Sequence, residues 1–416
     1  MKIEDLKNKK ILIVGYGVEG HETEKFLKYH FPNTPIGIAD QSQGENYLDI
    51  QNKYDLAIKS PGIHKSKITI PYTTATNIFF ANIKNTTVGV TGSKGKSTTA
   101  SLIYTILKHA GKKVHLLGNI THKLDDLGKP LLSELTHSHG NDEIFVCELS
   151  SHQLDDLEHS PHIAVFTSFF PEHMDFHGSV ENYLDAKKNI IRHSTSADYF
   201  IYNPQFNVIK NLANETKANS LPFTKDYDNL LEQSSLLGDH NKDNMRAAIT
   251  VAKLFTIDDD TIKEALHKFI PLPHRLEKIG PYKGITFYDD AISTTPQSTI
   301  KAIESIPNIS TLFLGGQDRG FDFEELGIVI AKTSTIQNLI IFPESGEKIL
   351  NIIQKKTKRK FTILKTKDME EGVIFAYQHS PKDTAAVLST ASPSYSVWKN
   401  FEEKGKLFKQ FVKKHA

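Results

Sequence analysis

The chain has 416 residues, 38% of them hydrophobic and 24% charged, which is the composition of a globular protein with room for several domains. Its 50 lysine and arginine residues against 49 acidic residues leave a net charge of +1, so no overall field argues for a nucleic-acid or membrane partner. The first residues have no apolar signal segment and no stretch is long enough to span a bilayer, so we expect a cytoplasmic protein.

The amino-terminal part, residues 1–84, is predicted to be a small doubly wound α/β domain. Apolar runs predict strands at 10–14, 35–39 and 56–59. The first strand leads into Gly15-Tyr16-Gly17-Val18-Glu19-Gly20, a G-x-G-x-x-G turn before a helix predicted at 21–29. The second ends at Asp40, where a Rossmann-like fold places an acid near a ribose. The same turn occurs in dehydrogenases, but no hydride-transfer site follows it here.

The next domain, predicted at 85–271, is organised around a glycine-rich turn. A strand ending at Val90 and a helix at 100–107 flank Thr91-Gly92-Ser93-Lys94-Gly95-Lys96-Ser97-Thr98. Glycines let backbone N–H groups surround phosphate oxygens, and the helix N-terminus adds partial positive charge. In such a turn Lys96 contacts the terminal phosphates and Ser97 ligates Mg²⁺. The motif is a variant, because Val90 stands where the strict spacing has glycine; a chance loop is the alternative, which the flanking strand and helix disfavour.

Further strands of this domain are predicted at 114–117, 144–147, 163–167 and 199–202, in a mainly parallel sheet. Cys147, the only cysteine, excludes an internal disulfide and follows an apolar run, so we expect it to be buried and unreactive. Glu148 comes next, at the carboxyl end of a strand beside the phosphate turn, where a Mg²⁺ ligand would lie. Asn and Asp residues at 239–244 are candidate caps for a helix predicted at 245–255.

A proline-marked joint at 271–273 introduces a third α/β domain, 272–416, also Rossmann-like. Strands are predicted at 285–288, 311–314, 339–342, 361–364 and 385–388, with helices between them. The predicted fold class is therefore α/β in all three domains.

Together these motifs resemble the Mur ligase family over essentially the whole chain. Besides the phosphate turn, the blocks that carry the resemblance are Glu148-Leu149-Ser150-Ser151-His152-Gln153-Leu154, His173-Met174-Asp175, 183–187, His240-Asn241-x-x-Asn244, 272–277, 314–316 and 388–402. Each alone could be chance, so their order and spacing carry the assignment. The last block, with Ser60-Pro61-Gly62 and Gly118-Asn119, favours the branch of the family that adds D-glutamate.

The resemblance implies a UDP-substrate-binding domain, a P-loop ATP-binding domain and a C-terminal amino-acid-binding domain. It implies an ATP-dependent ligase that adds D-glutamate to UDP-N-acetylmuramoyl-L-alanine through an acyl phosphate, in peptidoglycan precursor synthesis. ATP, two Mg²⁺ ions and a CO₂-derived carbamate on Lys187 would be required, and we expect a monomer. A free ammonium beside two Mg²⁺ ions would be repelled, whereas a carbamate supplies an anionic ligand.

The resemblance also assigns roles to individual positions. The implied catalytic residues are Lys96, Glu148, His173 and Lys187, and the implied metal ligands are Ser97, Glu148, His173 and carbamylated Lys187. ATP contacts are implied for Gly92, Ser93, Lys94, Gly95, Lys96, Ser97, Thr98, Asn244, Arg275 and Asp290. UDP-substrate contacts are implied for Gly17, Val18, Asp40, Gln41, Gly62, Asn119, Ser150 and His173, and amino-acid contacts for Thr294, Arg319, Ser389 and Tyr395. The alternatives are a solvated helix lysine at Lys187, with Lys188 beside it, and a packed loop histidine at His173.

The C-terminal domain departs from the family pattern. Where relatives carry Asn-Asp-Ser-Lys-Ala-Thr-Asn, residues 289–295 are Asp-Asp-Ala-Ile-Ser-Thr-Thr, so a lysine near the phosphates has become Ile292. Another lysine, which faces the glutamate side chain, aligns with Arg319, which keeps the charge but not the geometry. Two alternatives follow: the same scaffold with another acceptor, such as L-glutamate, or another muropeptide substrate, and a nucleotide-binding regulator without catalysis. Only Ile292 favours the regulator.

Overall fold

The computed structural model describes residues 1–118, 120, 128–232, 234 and 236–416. The chain divides into two compact units, of which the first comprises Met1–Ser235 and His240–Phe269 and the second comprises Leu236–Asp239 and Ile270–Ala416. Two of the three sheets lie in the first unit and the third lies in the second. The predicted α/β class is confirmed. The first two predicted domains form one compact unit, and the boundaries at residues 84 and 271 stay predictions.

The first sheet has four parallel strands in the order β2-β1-β3-β4. Its elements are β1 (Ile11–Val14), α1 (Val18–His30), β2 (Ile36–Ala39), β3 (Leu56–Lys59), β4 (Tyr72–Thr74) and α2 (Ala75–Asn82). The three predicted strands are confirmed, and β1 and β3 are buried along their full length. The short edge strand β4 escaped prediction since its Tyr-Thr-Thr sequence passes directly into α2.

The second sheet has six parallel strands in the order β10-β9-β8-β5-β7-β6. Its strands are β5 (Thr86–Thr91), β6 (Val114–Leu117), β7 (Ile144–Glu148), β8 (Ile163–Phe166), β9 (Tyr199–Tyr202) and β10 (Asn219–Pro222). The accompanying helices are α3 (Lys96–His109), α4 (Ser151–Leu154), α5 (Met174–His177), α6 (Val180–Arg192), α7 (Asn207–Leu212), α8 (Asp239–Leu254) and α9 (Asp259–Lys268). Strand β5 lies between β7 and β8, so the turn that follows it opens near the middle of the sheet.

The start of helix α8 and the burial of Cys147 were both predicted from the sequence. Helix α8 begins before the predicted residue 245, so Asn241 and Asn244 lie inside the helix and the prediction that they cap it is wrong. Cys147 is fully buried in β7, and burial raises the pKa of its thiol. The raised pKa favours the thiol form; the prediction that Cys147 is buried is confirmed, and its lack of reactivity stays a prediction.

The third sheet has six strands in the order β11-β12-β16-β13-β14-β15. Its elements are β11 (Glu277–Tyr282), β12 (Ile285–Asp289), α10 (Pro296–Ser305), β13 (Ile309–Gly316), α11 (Glu324–Lys332), β14 (Asn338–Glu344), α12 (Ser345–Lys356), β15 (Thr362–Lys365), α13 (Met369–His379), β16 (Thr384–Leu388) and α14 (Phe401–Lys414). The five predicted strands are confirmed. The sixth, β11, is antiparallel to β12 and carries Gly280 and Pro281, which an edge strand tolerates because Pro cannot donate to a ladder.

Short 3₁₀ helices complete the described secondary structure, at Ile3–Leu6, Gln41–Gln43, Gln51–Lys53, Lys65–Lys67, Leu131–Thr136 and Lys225–Leu230. Among the described helices, none combines the length and the apolar character needed to cross a bilayer.

A buried ion pair joins the first sheet to the segment after α4, within the first unit. Lys59 Nζ lies 2.8 Å from Asp156 Oδ2, and the two side chains are only 0% and 5% exposed. The same ammonium donates to the carbonyl of Ile63 at 2.9 Å, and the Tyr72 hydroxyl donates to Asp156 Oδ1 at 3.0 Å. The lysine thus neutralises a carboxylate that has almost no access to water.

We expect Lys59→Met to lower the free energy of unfolding of the first unit by about 3–5 kcal/mol, because it leaves Asp156 buried without its cation. Urea unfolding followed by circular dichroism measures the change. Lys65→Met is the matched control, since Lys65 pairs with Asp155 at 3.2 Å but is 46% exposed, and such pairs contribute about 1 kcal/mol or less. Equal effects of the two substitutions would contradict the assignment.

Candidate active site

The turn between β5 and α3 leaves no room for a side chain at two positions. A Cβ on Gly92, whose φ is +151°, would lie 2.1 Å from Thr167 Oγ1. A Cβ on Gly95, whose φ is +88°, would lie 2.3 Å from Asn244 Oδ1. Both positions therefore require glycine, for the backbone conformation and for the close approach of neighbouring elements.

The segment after β8 holds this turn in place. The Ser93 amide donates to the carbonyl of Ser168 at 2.8 Å, and the Lys94 amide donates to Ser168 Oγ at 2.8 Å. Thr167 Oγ1 donates to the carbonyl of Lys94 at 2.6 Å. The turn is thus organised by contacts to a neighbouring strand end, so a phosphate-binding loop is largely pre-formed.

Lys96 is the first residue of α3, and its ammonium lies over the turn. Its Nζ donates to the carbonyls of Gly92 and Ser93, each at 3.0 Å. Ser97 follows it at the helix start, and Glu148 ends β7, paired in register with Val90 of β5. A hydroxyl and a carboxylate, both on side chains of residues only 6% exposed, therefore belong to the same end of the sheet as the ammonium. Oxygen donors of this kind suit Mg²⁺.

Lys187, on α6, is buried at 1% exposure and directs its Nζ at the same turn. Its Nζ lies 2.9 Å from the carbonyl of Gly92 and 3.3 Å from Thr91 Oγ1. Burial, reinforced by the nearby Lys96 ammonium, holds the pKa of Lys187 well below its usual range. Lys188 instead pairs with Glu215 and is 30% exposed. The alternative of a solvated lysine at 187 is therefore wrong.

His173 belongs to a group of imidazoles at the same end of the sheet. It precedes α5 with a left-handed backbone, φ +57°, and its ring centroid lies 4.9 Å from that of His152. The centroid of His152 lies 5.5 Å from that of His177. Burial lowers the pKa of His173 and of His177, and lowers that of His152 to about 4. These rings are neutral at neutral pH and can act as ligands or hydrogen-bond acceptors.

The prediction named His173 alone in this group. His152 stands in the quoted block 148–154, but nothing in the sequence indicated that its ring would lie beside His173. His177 was likewise missed; its Nε2 lies 3.0 Å from Ser151 Oγ, across two helices.

Three further predicted positions of the central domain have different surroundings. Ser150 caps α4, and its Oγ lies 3.0 Å from Gln153 Oε1. Asn244 is buried behind the phosphate turn, where its Oδ1 accepts from Thr99 Oγ1 at 3.2 Å. Asn119 lies outside the described residues.

The G-x-G-x-x-G turn of the first sheet is held by Asp40. Its Oδ2 accepts from the Tyr16 amide at 2.7 Å and its Oδ1 from the Ser42 amide at 3.0 Å, and the Tyr16 amide lowers the pKa of the carboxyl. Open space adjoins Gly17 and Gly62. The turn therefore presents backbone to solvent. The other two predicted contacts, Val18 and Gln41, are exposed beside it.

In the second unit, two predicted positions form one buried group. Ser389 Oγ donates to Asp290 Oδ2 at 2.8 Å, and the Leu276 amide donates to Asp290 Oδ1 at 3.2 Å. Burial raises the pKa of Asp290 to about 7. Arg275 directly precedes Leu276, so the segment that carries it is bonded to this carboxyl.

Arg319 and Tyr395 form a second, exposed group in that unit. The guanidinium carbon of Arg319 lies 5.7 Å from the centre of the Tyr395 ring, and Arg319 Nε donates to Gln317 Oε1 at 3.1 Å. Tyr395 is 62% exposed. Thr294 is half-buried in the loop between β12 and α10. Of the predicted amino-acid contacts, the structure thus brings Arg319 and Tyr395 together, whereas Ser389 is enclosed beside Asp290.

The parallel sheet, the glycine turn at its centre and the lysine at the start of α3 define a P-loop nucleotide-binding protein. The sequence profile of the Mur ligase middle domain matches residues 90–252. The UDP-N-acetylmuramoylalanine–D-glutamate ligase of Acetivibrio thermocellus is 30% identical, over 98% of this chain and 97% of its own. The enzyme of the same name from Streptococcus mutans is 30% identical over 98% and 97%. This chain belongs to the Mur ligase family.

The fold agrees with that assignment. A MurF ligase from Thermotoga maritima, crystallised in complex with ADP, aligns with a TM-score of 0.64 at 18% identity, covering 98% of this chain and 95% of that one. The resemblance drawn from the sequence motifs is therefore confirmed for the family and for the fold. The roles of individual residues stay predictions.

Proposed function

We propose that this protein is an ATP-dependent ligase that joins D-glutamate to UDP-N-acetylmuramoyl-L-alanine through an acyl phosphate. The observation that carries the proposal is the 30% sequence identity, over 98% of the chain, to a ligase named for that reaction. The phosphate turn with Lys96, and Lys187 bonded to the same carbonyl, support it, because a regulator without catalysis would not need this second buried lysine. The chemistry requires a substrate carboxylate to become phosphorylated before an amine attacks it.

ATP would be held by the phosphate turn. The amides of the turn and the Lys96 ammonium would bind its phosphates, and Ser97, Glu148 and His173 would hold Mg²⁺. Mg²⁺ neutralises charge on the phosphoryl oxygens during transfer. The donor set fits, since it offers a hydroxyl, a carboxylate and a neutral imidazole whose burial keeps it unprotonated. Asn244, Arg275 and Asp290 would contact the nucleoside and phosphates, as the family resemblance implies.

Lys187 would carry a carbamate. The unprotonated amine attacks CO₂, forming an N–C bond and releasing one proton, and a depressed pKa makes that amine available. Lys187 and Lys96 donate to one carbonyl, so two cations would repel each other there. A carbamate replaces that repulsion with attraction and adds an anionic oxygen ligand for a second Mg²⁺.

The UDP-linked substrate would bind along the open backbone near Asp40. Gly17, Val18, Gln41 and Gly62 would contact that part of the substrate, and the family resemblance implies contacts from Ser150 and Asn119 to its muramoyl end. Backbone contacts of this kind need open glycines, which the space beside Gly17 and Gly62 supplies. We propose that the protein acts as a monomer.

The acceptor would be recognised by the Arg319–Tyr395 group. An exposed guanidinium can form a bidentate contact with a carboxylate, and D-glutamate has two carboxylates to satisfy. Thr294 would add a hydroxyl contact, whereas Ser389, enclosed and bonded to Asp290, would reach the acceptor only after that hydrogen bond opens. Ile292 contributes no charge where relatives carry a lysine, which is the observation that leaves a different acceptor open, with L-glutamate as one alternative. Comparison of product formation with D-glutamate, L-glutamate, D-aspartate and L-alanine at equal concentration decides between these acceptors, and preference for an uncharged amino acid would overturn the assignment.

We expect Arg319→Ala to raise the KM for D-glutamate by roughly 10²-fold, because a charged hydrogen bond contributes about 1.5–3 kcal/mol. Arg319→Lys should be partly competent, since it restores the charge without the planar fork. Lys301→Ala removes an exposed lysine of α10 that pairs with Glu304 and serves as the control. Steady-state phosphate release measures all three variants; an unchanged KM in Arg319→Ala would show that the acceptor binds elsewhere.

A further inference from the structure

Two histidines and two glutamates lie together at the amino end of the second sheet. His115 is the second residue of β6, Glu134 lies in the 3₁₀ helix Leu131–Thr136, and Glu143 directly precedes β7. His139 lies in the loop between that 3₁₀ helix and β7. The phosphate turn follows the carboxyl end of β5, and all these strands are parallel, so this group lies at the opposite end of the sheet from it.

Three of the four side chains converge on one point. Glu143 Oε2 lies 2.6 Å from His115 Nε2 and 2.9 Å from His139 Nδ1. One ligand atom from each of the three residues lies within 4.8 Å of the others. The side chains are 29%, 9% and 16% exposed for His115, His139 and Glu143, so the point is shielded but open to an ion from solvent.

The fourth side chain, Glu134, lies beside the ring nitrogens of His115 and His139 that face away from Glu143. Glu134 Oε2 lies 3.2 Å from His115 Nδ1 and 3.6 Å from His139 Nε2. The same nitrogen of His139 lies 2.7 Å from the carbonyl oxygen of Glu134. A carboxylate or carbonyl behind a histidine fixes its ring and its tautomer, which is the arrangement found behind metal-bound imidazoles.

The loop that carries Glu143 is ordered by its own contacts. The Gly140 amide donates to Glu143 Oε1 at 2.7 Å, which leaves Oε2 directed at the two rings. Asn85 Nδ2 donates to the carbonyl of Gly140 at 2.7 Å. The ring of Phe145 stacks on that of His115, with 4.7 Å between centroids. The side chains of His115 and Glu143 are therefore held in place by the Phe145 ring and by the loop backbone.

Each of the two imidazole rings has an oxygen atom close to each of its two nitrogens. Both nitrogens of each ring face oxygen acceptors, and a neutral imidazole has only one N–H to donate. One nitrogen of each ring can therefore face Glu143 as a metal ligand while the other donates to Glu134. A metal ion at the shared point would let each ring keep its remaining N–H for Glu134.

We propose that His115 Nε2, His139 Nδ1 and Glu143 bind a divalent transition-metal ion of the Zn²⁺ class, with Glu134 as the orienting residue. Two imidazoles and one carboxylate form a common ligand set for Zn²⁺, with a fourth position for water. Zn–ligand bonds of about 2.0–2.2 Å separate tetrahedral ligands by about 3.3 Å, so the Glu143 carboxylate would retreat slightly from the rings. The ion would cross-link β6 to the segment before β7. This proposal is independent of the proposed ligase function.

The test is a Zn²⁺ titration of the full-length, chelator-stripped protein against a chromophoric competitor. Wild-type protein should bind one more equivalent than His139→Gln or Glu143→Gln, whose affinity at this site should fall by at least about 100-fold. Zn²⁺ should also raise the Tm of wild-type protein more than that of Glu143→Gln. Glu143→Gln keeps an oxygen acceptor for the Gly140 amide, so it decides the question even where His139→Gln fails to fold.

His137→Gln is the matched control, since His137 is an exposed histidine two positions away whose Nδ1 faces the carbonyl of Ser133. It should bind Zn²⁺ as the wild-type protein does. Zn²⁺ that binds near the phosphate turn does not affect the result, because it binds equally to the wild-type protein and the variants and the test compares their stoichiometries. Equal stoichiometry and affinity in wild-type, His139→Gln and Glu143→Gln would overturn the proposal.

Discussion

Replacing Lys96 with alanine should lower kcat by at least about 10³-fold. The ammonium lies on the carbonyls of Gly92 and Ser93, at the point where the turn would meet ATP phosphates. Phosphoryl transfer depends on positioning and charge neutralisation, and the loss of about 4 kcal/mol of transition-state stabilisation corresponds to this factor. Phosphate release with saturating ATP, UDP-N-acetylmuramoyl-L-alanine and D-glutamate measures it.

The matched control is Lys108→Ala. Lys108 is an exposed lysine in the last turn of the same helix, where its Nζ donates to the Tyr104 hydroxyl at 2.8 Å. That variant should keep wild-type turnover. If Lys96→Ala also kept it, the turn between β5 and α3 would not be the ATP site.

Lys187→Ala should be nearly inactive, again by about 10³-fold or more, and partly restored by formate or acetate. The substitution removes a side chain that is packed between the Gly92 carbonyl and the Tyr183 ring, whose centre lies 4.9 Å from Lys187 Nζ. A small carboxylate can enter the space left behind and supply the oxygen ligand that a carbamate would provide. The predicted loss reflects a missing charge at a phosphoryl-transfer site.

Two further observations bear on Lys187. Lys188→Ala, which removes a lysine paired with Glu215, should retain activity because that side chain points away from the turn. Wild-type protein equilibrated with ¹³C-labelled CO₂ should show a carbamate resonance that Lys187→Ala lacks. A bare ammonium at Lys187 in a crystal with bound nucleotide and Mg²⁺ would refute the carbamate.

Local pattern was sufficient for most of the fold. The strand at 86–91 and the helix after it follow from β-branched residues, a glycine turn and a helical run that are contiguous in the chain. The strand at 277–282 escaped prediction because Gly280 and Pro281 interrupt it, and only its pairing with the next strand defines it. Short edge strands such as 72–74 carry too few residues for a pattern.

The part of the site that could not be predicted from the sequence consists of contacts between residues far apart in the chain. The motifs placed Lys96, Glu148 and Lys187 near one turn, but no local pattern could pair Lys59 with Asp156 or His115 with His139. The sequence also did not indicate which of the predicted residues are buried. Ser389 and Asp290 were predicted to contact different ligands, but Ser389 Oγ lies 2.8 Å from Asp290 Oδ2 in one enclosed group. Such proximity depends on how sheets and helices pack, which spacing alone does not encode.

The fate of oxygen in the substrate carboxylate tests the central claim most directly. UDP-N-acetylmuramoyl-L-alanine labelled with ¹⁸O at both carboxylate oxygens would be turned over with ATP and D-glutamate, and the phosphate analysed by mass spectrometry. Attack of the carboxylate on the γ-phosphoryl group, followed by attack of the amine, leaves one ¹⁸O in the new amide and transfers the other to phosphate. We predict one ¹⁸O in each phosphate released and one phosphate for each amide formed. Unlabelled phosphate, or ATP hydrolysis without amide, would contradict the assignment of this chain as a ligase acting through an acyl phosphate.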